Sequence, residues 1–383
     1  MRAMILKEFR QLRRDRRTLA MMIALPILLL VVLGYAASFT ISSVPVAVAG
    51  PAARTAAAAL PKPFDVVRTD PAAGRAWAQD QLRDGHAAVA LLASPGNPPE
   101  VFIDGSQLFT AQAALTAFSK LETASPAGRP AITVLYNPKL TTSAVMIPGL
   151  AGVILVFIGT IITSLGVVRE RQSGTLEQLA VMPLRPRDVF LGKIVPYFVV
   201  AAVDLAIVVG VGIAIFGVPF RGSALVFALG ALLFLFVTLG VGVLISTVSQ
   251  NQGQAIQLAV MTMLPQVLLS GLIFPLSAIV AGVRWIAYLL PLTYFNEVAR
   301  GVMLRAEPIG PLWPPLTMLA VLGLGVGSLA ILRFRGYLAP SGGGRRGASL
   351  ARRRAHSAVA GQAAVRGGLP GAAGRAASAG RTE

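Results

Sequence analysis

The amino-acid sequence predicts an α-helical integral membrane protein with six transmembrane helices and one small α/β domain. The first reason is composition: 55% of the 383 residues are hydrophobic and only 13% are charged, as is typical of membrane proteins. The second is that apolar runs of about 20 residues, long enough to cross a bilayer, recur along the chain. The third is the stretch 41–145, which has the composition of a soluble domain.

The six predicted transmembrane helices are apolar runs with few or no charged residues. They are 18–40, Met146–Val168, Ile194–Val218, Ser223–Val248, Ala255–Phe274 and Leu312–Leu332. A cleaved signal peptide is the alternative for the first run, because Ala36 and Ala37 resemble a cleavage site. The basic leader and the apolar run are both longer than the corresponding parts of a usual signal peptide. This favours an uncleaved span.

Basic residues are concentrated at both ends of the chain and between the second and third spans. Residues 1–17 hold seven Arg or Lys against two acids, and ten arginines follow Ile331. The positive-inside rule therefore predicts that both termini and the loop 169–193 are cytoplasmic and that the domain 41–145 is extracytoplasmic. The same rule accounts for the formal charge of +18, so no nucleic-acid partner is expected.

Short apolar runs and helical stretches alternate in residues 41–145, which predicts a small α/β domain. The predicted strands are Val44–Ala49, Phe64–Arg68, Ala87–Leu92, Val101–Ile103 and Ile132–Leu135, and the predicted helices are Ala52–Leu60, Arg75–Arg83 and Ala111–Leu121. The acidic residues of the domain are scattered rather than paired, and His86 is expected to be a surface residue. The chain has no cysteine, which rules out disulfides and thiolate metal sites.

The segment 275–311 is apolar but too interrupted to span a bilayer. Its apolar pieces, 276–283 and 286–292, are short, and Pro275 and Pro291 are expected to break them. Two short helices that re-enter the outer leaflet fit this pattern, and Trp285 favours a position at the membrane interface. An ordinary external loop is the alternative.

Both ends of the chain are predicted to lie outside the spans. In residues 1–17 apolar side chains recur near helical spacing and arginines cover the other side, which predicts an interfacial helix. A solvated basic leader is the alternative. Residues 336–383 are rich in Gly, Ala, Ser and Arg without apolar periodicity, which predicts a disordered cytoplasmic tail.

The loop between the second and third spans contains a predicted two-turn helix. Gly174 and Thr175 are suited to its start, Glu177 lies in the first turn, and Pro183 and Pro186 end it. A helix this short is unstable alone in water. We therefore expect it to dock on another protein surface.

Four segments resemble, in order, the permease subunit of type-2 ABC exporters of the drug and antibiotic efflux branch. They are KEFRQLRRDRRTLAMMIALP, YNPKLTTSAVMIPGL, RERQSGTLEQLAVMPLRPRDVFLGKIVP and SGLIFPLSAIVAGVRWIAYLLPLTYFNEVARGVMLR. The resemblance covers residues 1–335. It implies an interface helix at the start, a coupling helix in the loop 169–193, and external gate helices in 275–305. The family suggests no role for the long tail.

The resemblance implies an exporter that moves a hydrophobic or amphipathic substrate (a drug, antibiotic or lipid-like molecule) and is located in the bacterial inner membrane. It implies a second permease copy, identical or a close paralogue, and a partner ATPase that binds ATP and Mg²⁺. Residues expected to contact the ATPase are Glu170, Arg171, Gly174, Thr175, Leu176, Glu177, Leu179 and Pro183. Those expected in the external gate are Pro275, Trp285, Pro291, Asn296 and Glu297. No GxxxxGK[ST] segment occurs, so this chain is expected to bind no cofactor and to be no enzyme.

Asp204 is the one acidic residue predicted to lie fully within a span, about 16 Å from Lys193 at 1.5 Å per residue. Such a carboxyl is either functional or a hydrogen-bonded structural group, and both interpretations stay open. Gln266 is a weaker candidate for the pathway wall. The alternative function is a proton-coupled carrier that uses Asp204. A membrane enzyme would need clustered acids or metal ligands, which the spans lack.

Overall fold

The computed structural model describes residues 43–124, 130–173 and 186–338 and the single positions Ala20, Ile27 and Ile41. The predicted interface helix 1–17 lies outside the described residues, as does the predicted span 18–40 apart from Ala20 and Ile27, which are helical. The tail beyond Leu338 and the predicted helix in the central loop also lie outside them.

The soluble-like part of the chain is a mixed sheet with helices on both faces. Its strands are β1 Val44–Ala49, β2 Phe64–Asp70, β3 Val89–Leu92, β4 Glu100–Asp104 and β5 Ala131–Leu135; its helices are α1 Ala53–Ala59, α2 Arg75–Arg83 and α3 Leu108–Ala124. The strand order is β2-β1-β3-β4-β5. Only the β3–β4 pair is antiparallel. All five predicted strands and three predicted helices are present in this part of the chain.

Alternating side chains of the strands build two apolar layers. Val44, Val46 and Val48 of β1 point into one layer, together with residues of α1 and α3. Ala47 and Ala49 point into the other layer, where they pack against Ala78 and Leu82 of α2. Because both faces are covered at the centre of the sheet, β1, β3 and β4 are mostly buried, as strands of a mainly parallel sheet are. The edge strands β2 and β5 are largely exposed or half-buried.

The remaining chain is a bundle of long helices with a broken segment near its end. The long helices are α4 Thr142–Val156, α5 Thr163–Gln172, α6 Pro186–Phe216, α7 Ala224–Val248, α8 Gln252–Leu269 and α11 Ile309–Leu338. A π-helical turn, Phe157–Ile162, joins α4 to α5 into one continuous 31-residue rod. The broken segment holds a 3₁₀ turn Leu276–Ala278, α9 Ala281–Ala287, α10 Pro291–Arg300 and a π-helical turn Gly301–Arg305.

Within the described residues, four helices are long and apolar enough to cross a membrane: Thr142–Gln172, Val195–Phe216, Ala224–Val248 and Ile309–Arg333. They correspond to four of the six predicted spans. The predicted span Ala255–Phe274 is wrong in its bounds, because α8 starts three residues earlier, at Gln252, and ends at Leu269. Asn251 caps the helix start by accepting a hydrogen bond from the Gln254 amide (2.9 Å), and Gly271 has a left-handed φ of +79° just beyond its end.

The bounds of the broken segment also differ from those predicted. Pro291 was expected to break a helix, but it is the first residue of α10, where its missing N–H removes no helical hydrogen bond. The helix then continues to Arg300, well past the predicted apolar piece 286–292. One face of α10 carries the buried residues Leu292, Phe295, Val298 and Ala299.

Helix α10 packs deep into the bundle. The Phe295 ring stacks on Phe234 of α7 with the ring centroids 4.5 Å apart and an angle of 14° between the planes. Gly152 of α4 permits this position, since a Cβ there would lie 2.6 Å from Leu292 Cδ1 and 2.7 Å from Phe295 Cδ1. A side chain at position 152 would therefore push α10 away from α4.

The first prediction concerns the two ends of the α4–α5 rod, which at 1.5 Å per residue is about 45 Å long. Asn97 lies in the α/β domain before the rod and Ser173 lies directly after it, and both are exposed. In the cysteine-free chain, Asn97→Cys should react with a membrane-impermeant maleimide on intact cells. Ser173→Cys should react only after the cells are opened.

The control is Ser106→Cys, since Ser106 is fully buried and should stay unlabelled until the protein is denatured. Labelling of positions 97 and 173 from the same side would contradict the predicted extracytoplasmic position of the domain.

Candidate functional site

The entrance to the central loop is fixed to the turn between α7 and α8. The Arg171 guanidinium, in the last turn of α5, donates hydrogen bonds to the carbonyl oxygens of Ser246 (3.4 Å) and Ser249. Gln252 Nε2 donates to Gln172 Oε1 at 3.0 Å. A movement of this loop would therefore pull on the start of α8.

Of the residues predicted to contact an ATPase, Glu170 and Arg171 lie within the described structure and both are half-buried. The carbonyl partners of Arg171 belong to the chain itself, which the sequence did not indicate. Gly174, Thr175, Leu176, Glu177, Leu179 and Pro183 lie outside the described residues. Their predicted role stays a prediction.

The far end of α8 is held by the polar side of α10. Asn296 Nδ2 donates to Ser270 Oγ (3.1 Å), and Arg300 Nη2 donates to the Gly271 carbonyl oxygen (2.6 Å). Asn296 is only 2% exposed. The predicted gate residue Asn296 is thus a fastening point between α8 and α10, while its predicted neighbour Glu297 is exposed.

The short helix α9 is attached to α10 through hydrogen bonds to backbone carbonyl groups. Thr293 Oγ1 donates to the Ala287 oxygen and Tyr294 OH to the Tyr288 oxygen, both at 2.6 Å. Pro275 is half-buried in the turn that precedes α9. Trp285 on α9 is 60% exposed, and its position at the membrane interface stays a prediction.

One buried guanidinium links the broken segment, the predicted gate segment 275–311, to the α/β domain. Arg305, the last residue of the π-helical turn after α10, lies 3.7 Å (Nη1) from Asp104 Oδ2 at the end of β4. Its Nη2 atom lies 2.6 Å from Glu307 Oε2. The three side chains are at most 6% exposed. A charge buried to this extent needs such partners, because its desolvation costs several kcal/mol.

The electrostatics of this ion group follow from burial. Burial lowers the pKa of Arg305, whereas the negative charges of Asp104 and Glu307 raise it by more. The pKa is therefore raised overall and the guanidinium is charged. Burial raises the pKa of Asp104, an effect opposed by Arg305 and by the hydrogen bond from the Ser106 amide (2.9 Å). Burial likewise raises the pKa of Glu307.

A second junction joins the α/β domain to the α4 helix. The Asn137 side chain, 5% exposed, donates to the carbonyl oxygens of Gly105 (3.3 Å) and Thr141 (3.1 Å). Its Oδ1 atom accepts from the Thr141 amide at 3.0 Å. The end of β4, the end of β5 and the start of α4 are therefore tied together next to Asp104.

Asp204 and Gln266, the two predicted pathway residues, lie on different helices, α6 and α8. Asp204 is half-buried and has no hydrogen bond or ion pair among the described residues. Gln266 is 2% exposed, and its Oε1 atom has no hydrogen-bond partner in the described part of the chain. Both retain free hydrogen-bonding capacity within the bundle.

Comparison with known proteins identifies the family. The model of the ABC-2 family transporter proteins matches residues 16–332, which is most of the chain. The chain belongs to the ABC-2 transporter family. It is an ABC-2 type permease, as the resemblance of its four segments indicated.

Several relatives carry permease names. A probable multidrug ABC transporter permease of Escherichia coli, YbhR, is 33% identical over 200 residues, covering 52% of this chain and 54% of the relative. Another, YbhS, is 36% identical over 173 residues, covering 45% and 46%. ABC transporter G family member 20 of Dictyostelium discoideum is 27% identical over 173 residues, covering 45% of this chain and 24% of the relative. The chain thus spans about half the length of the bacterial relatives it matches.

The second prediction concerns Arg305. Arg305→Met leaves two buried carboxylates without their counter-charge, so it should lower the free energy of unfolding by roughly 3–5 kcal/mol. Thermal unfolding of the purified chain measures this. Hydrogen exchange of the turn 105–107 should accelerate in parallel.

Arg75→Met is the matched control, because its ion pair with Glu100 is 61% and 42% exposed and should contribute at most about 1 kcal/mol. Replacing Asp104 by Asn and Glu307 by Gln in the Arg305→Met background should recover part of the loss. Equal losses for Arg305→Met and Arg75→Met would contradict a structural ion group.

Proposed function

We propose that this ABC-2 permease is the membrane-spanning subunit of an ATP-driven exporter. It would move a hydrophobic or amphipathic substrate out of the cytoplasm or the inner leaflet of a bacterial inner membrane. A separate ATPase subunit would bind ATP and Mg²⁺ and hydrolyse the nucleotide. The observation that carries the proposal is the family match over residues 16–332, supported by the permease names of the relatives.

The geometry supports a mechanical role for the chain. Arg171 and Gln172 attach the central-loop entrance to the start of α8, and Asn296 and Arg300 attach the other end of α8 to α10. Arg305 then attaches the end of α10 to the α/β domain. We propose that this contiguous series of contacts transmits closure of the ATPase from the loop 169–193 to the gate segment.

In this proposal the segment 174–180 contacts the ATPase, with Glu177 as a polar contact and Leu176 and Leu179 as apolar ones. A second permease copy, identical or a close paralogue, would complete the pathway, with lipid around it. The α/β domain would lie outside the cytoplasm and both termini inside.

The third prediction tests the transmission. Arg171→Gln removes the charge that bonds the loop entrance to the α7–α8 turn. It should leave complex assembly with the ATPase intact but reduce substrate-stimulated ATP hydrolysis and ATP-driven efflux at least fivefold. Arg169→Gln is the control, since Arg169 is exposed two residues earlier and should tolerate the change. Equal activities of the two variants would contradict the transmission path.

The fourth prediction separates this function from the proton-coupled alternative. Asp204 favours that alternative because it has no hydrogen bond or ion pair with the residues that the structure describes. Asp204→Asn should preserve ATP-driven efflux in proteoliposomes that contain both subunits. If Asp204→Asn abolishes transport, while the wild-type chain transports with a proton gradient and without ATP, the carrier is proton-coupled and the exporter proposal is wrong.

A further inference from the structure

A cavity of about 750 Å³ lies between helix α3, the start of β2 and the turn that follows α8. This volume is within the range of about 300–1,000 Å³ found for small-molecule sites. Twelve of the fifteen residues that line the cavity belong to the α/β part of the chain, and the other three, Phe274, Pro275 and Ala278, follow α8. A ligand in this cavity would therefore contact the α/β domain and the start of the predicted gate segment together.

One face of α3 forms the longest wall of the cavity. The residues on this face recur at helical spacing and are Gln112, Ala113, Thr116, Ala117, Lys120 and Leu121. The buried residues Ala111, Ala114 and Phe118 lie on the other face of α3, where they pack into the core of the sheet. Because Ala113 and Ala117 have no atoms beyond Cβ, the middle of the wall leaves space for a ligand.

The floor of the cavity is apolar and is held by packing. Phe64, the first residue of β2, is 7% exposed, and its ring centroid lies 4.6 Å from that of Phe118. The ring of Phe109, near the start of α3, is 39% exposed and lies in the same wall. Eleven of the fifteen lining residues are apolar, so the surface of the cavity suits a hydrocarbon chain.

The charged groups among the described residues that line the cavity are both basic. They are the ammonium groups of Lys62, in the turn before β2, and Lys120, near the end of α3, and both side chains are exposed. Lys62 makes no hydrogen bond or ion pair with the residues that the structure describes. The carboxylate nearest to it in the sequence, Asp65, is outside the wall and accepts a hydrogen bond from Ser43. Lysine side chains of this kind can lie along an apolar surface and keep their charge in water at its edge.

We infer that this cavity binds a free aliphatic anion, which is a single hydrocarbon chain that ends in a negatively charged group. The chain lies against Phe64, Phe109 and the alanines of α3, and Lys62 and Lys120 pair with the anionic group at the rim. We assign a free anion rather than a bilayer lipid because most of the wall belongs to the part of the chain with the composition of a soluble domain. This binding is a property of the chain itself and does not depend on the proposed export function.

The test uses the full chain in phosphatidylcholine nanodiscs, without ATPase or ATP, and three photoreactive probes of one shape. Each probe has a decyl chain with a diazirine near its free end, and the head group is a sulfonate, a hydroxyl or a trimethylammonium group. After irradiation, mass spectrometry of the digested protein measures the labelling of α3 and of the turn 274–278. The sulfonate should label these peptides about fivefold more than the other two probes, the size of effect that one or two exposed ion pairs produce.

A variant that fills the cavity tests the location. Thr116→Trp places a large ring in the α3 wall, where Thr116 is exposed, and should remove most of the labelling by the sulfonate. Ser119→Trp is the matched control, because Ser119 is exposed on the same helix but outside the wall, and this variant should be labelled like the wild-type chain.

A second set of variants tests the charge. Replacing Lys62 and Lys120 together by Gln should lower labelling by the sulfonate to the level of the alcohol. Replacing both by Arg should retain it, because the charges remain. Lys139→Gln is the control, since Lys139 is exposed outside the cavity wall. Unchanged thermal unfolding would show that the variants are folded.

Equal labelling by the sulfonate and the alcohol, or wild-type labelling of the Thr116→Trp variant, would overturn the inference. Native mass spectrometry of the purified chain tests the other occupant. A phosphatidylglycerol molecule that the wild-type chain retains and the Thr116→Trp variant loses would show that a bilayer lipid fills the cavity, and the assignment to a free anion would then be wrong.

Discussion

The structure depends on a single guanidinium that is shared by two parts of the chain. Arg305 ends the π-helical turn after α10, Asp104 ends a strand of the α/β domain, and both paired side chains are buried. Separating the two parts would leave charges buried and uncompensated, which costs far more than breaking an exposed ion pair. The α/β domain is therefore held to the segment that ends at Arg305 by an electrostatic requirement as well as by packing.

The backbone around Arg305 is shaped to allow this pairing. Gly85, with φ of +70°, lies so close that a Cβ there would be 3.3 Å from Arg305 Nη2. Ala306 adopts a left-handed conformation (φ 52°), which turns the chain so that Glu307 comes back to the guanidinium. The α6–α7 connection adds hydrogen bonds from the Arg221 and Gly222 amides to the carbonyl groups of Met303 and Val302, at 3.2 and 2.9 Å.

Local sequence patterns predicted the strands and helices of the α/β domain. The contacts that were missed join residues that are far apart in the sequence. β1 was predicted with its observed bounds, because alternating apolar residues and flanking turn residues are local signals. Asp104 was not distinguished from the other scattered acidic residues of the domain. Its partner Arg305 lies 201 positions further along the chain, and only folding brings the two together. Arg171 was assigned to a partner protein for the same reason, because nothing local indicates that it bonds to the α7–α8 turn.

The contacts of α10 also restrict how the predicted gate segment could move. A shift of α10 away from α4 and α7 would expose Leu292 and Phe295. The free-energy cost is about 25 cal/mol per Å² of apolar surface, so it grows gradually with the area exposed. Withdrawal of Arg305 from Asp104 carries its penalty as soon as the pair is broken. Movement therefore costs least if α10, the π-helical turn and the α/β domain stay together, with the Asn296 and Arg300 contacts to Ser270 and Gly271 intact.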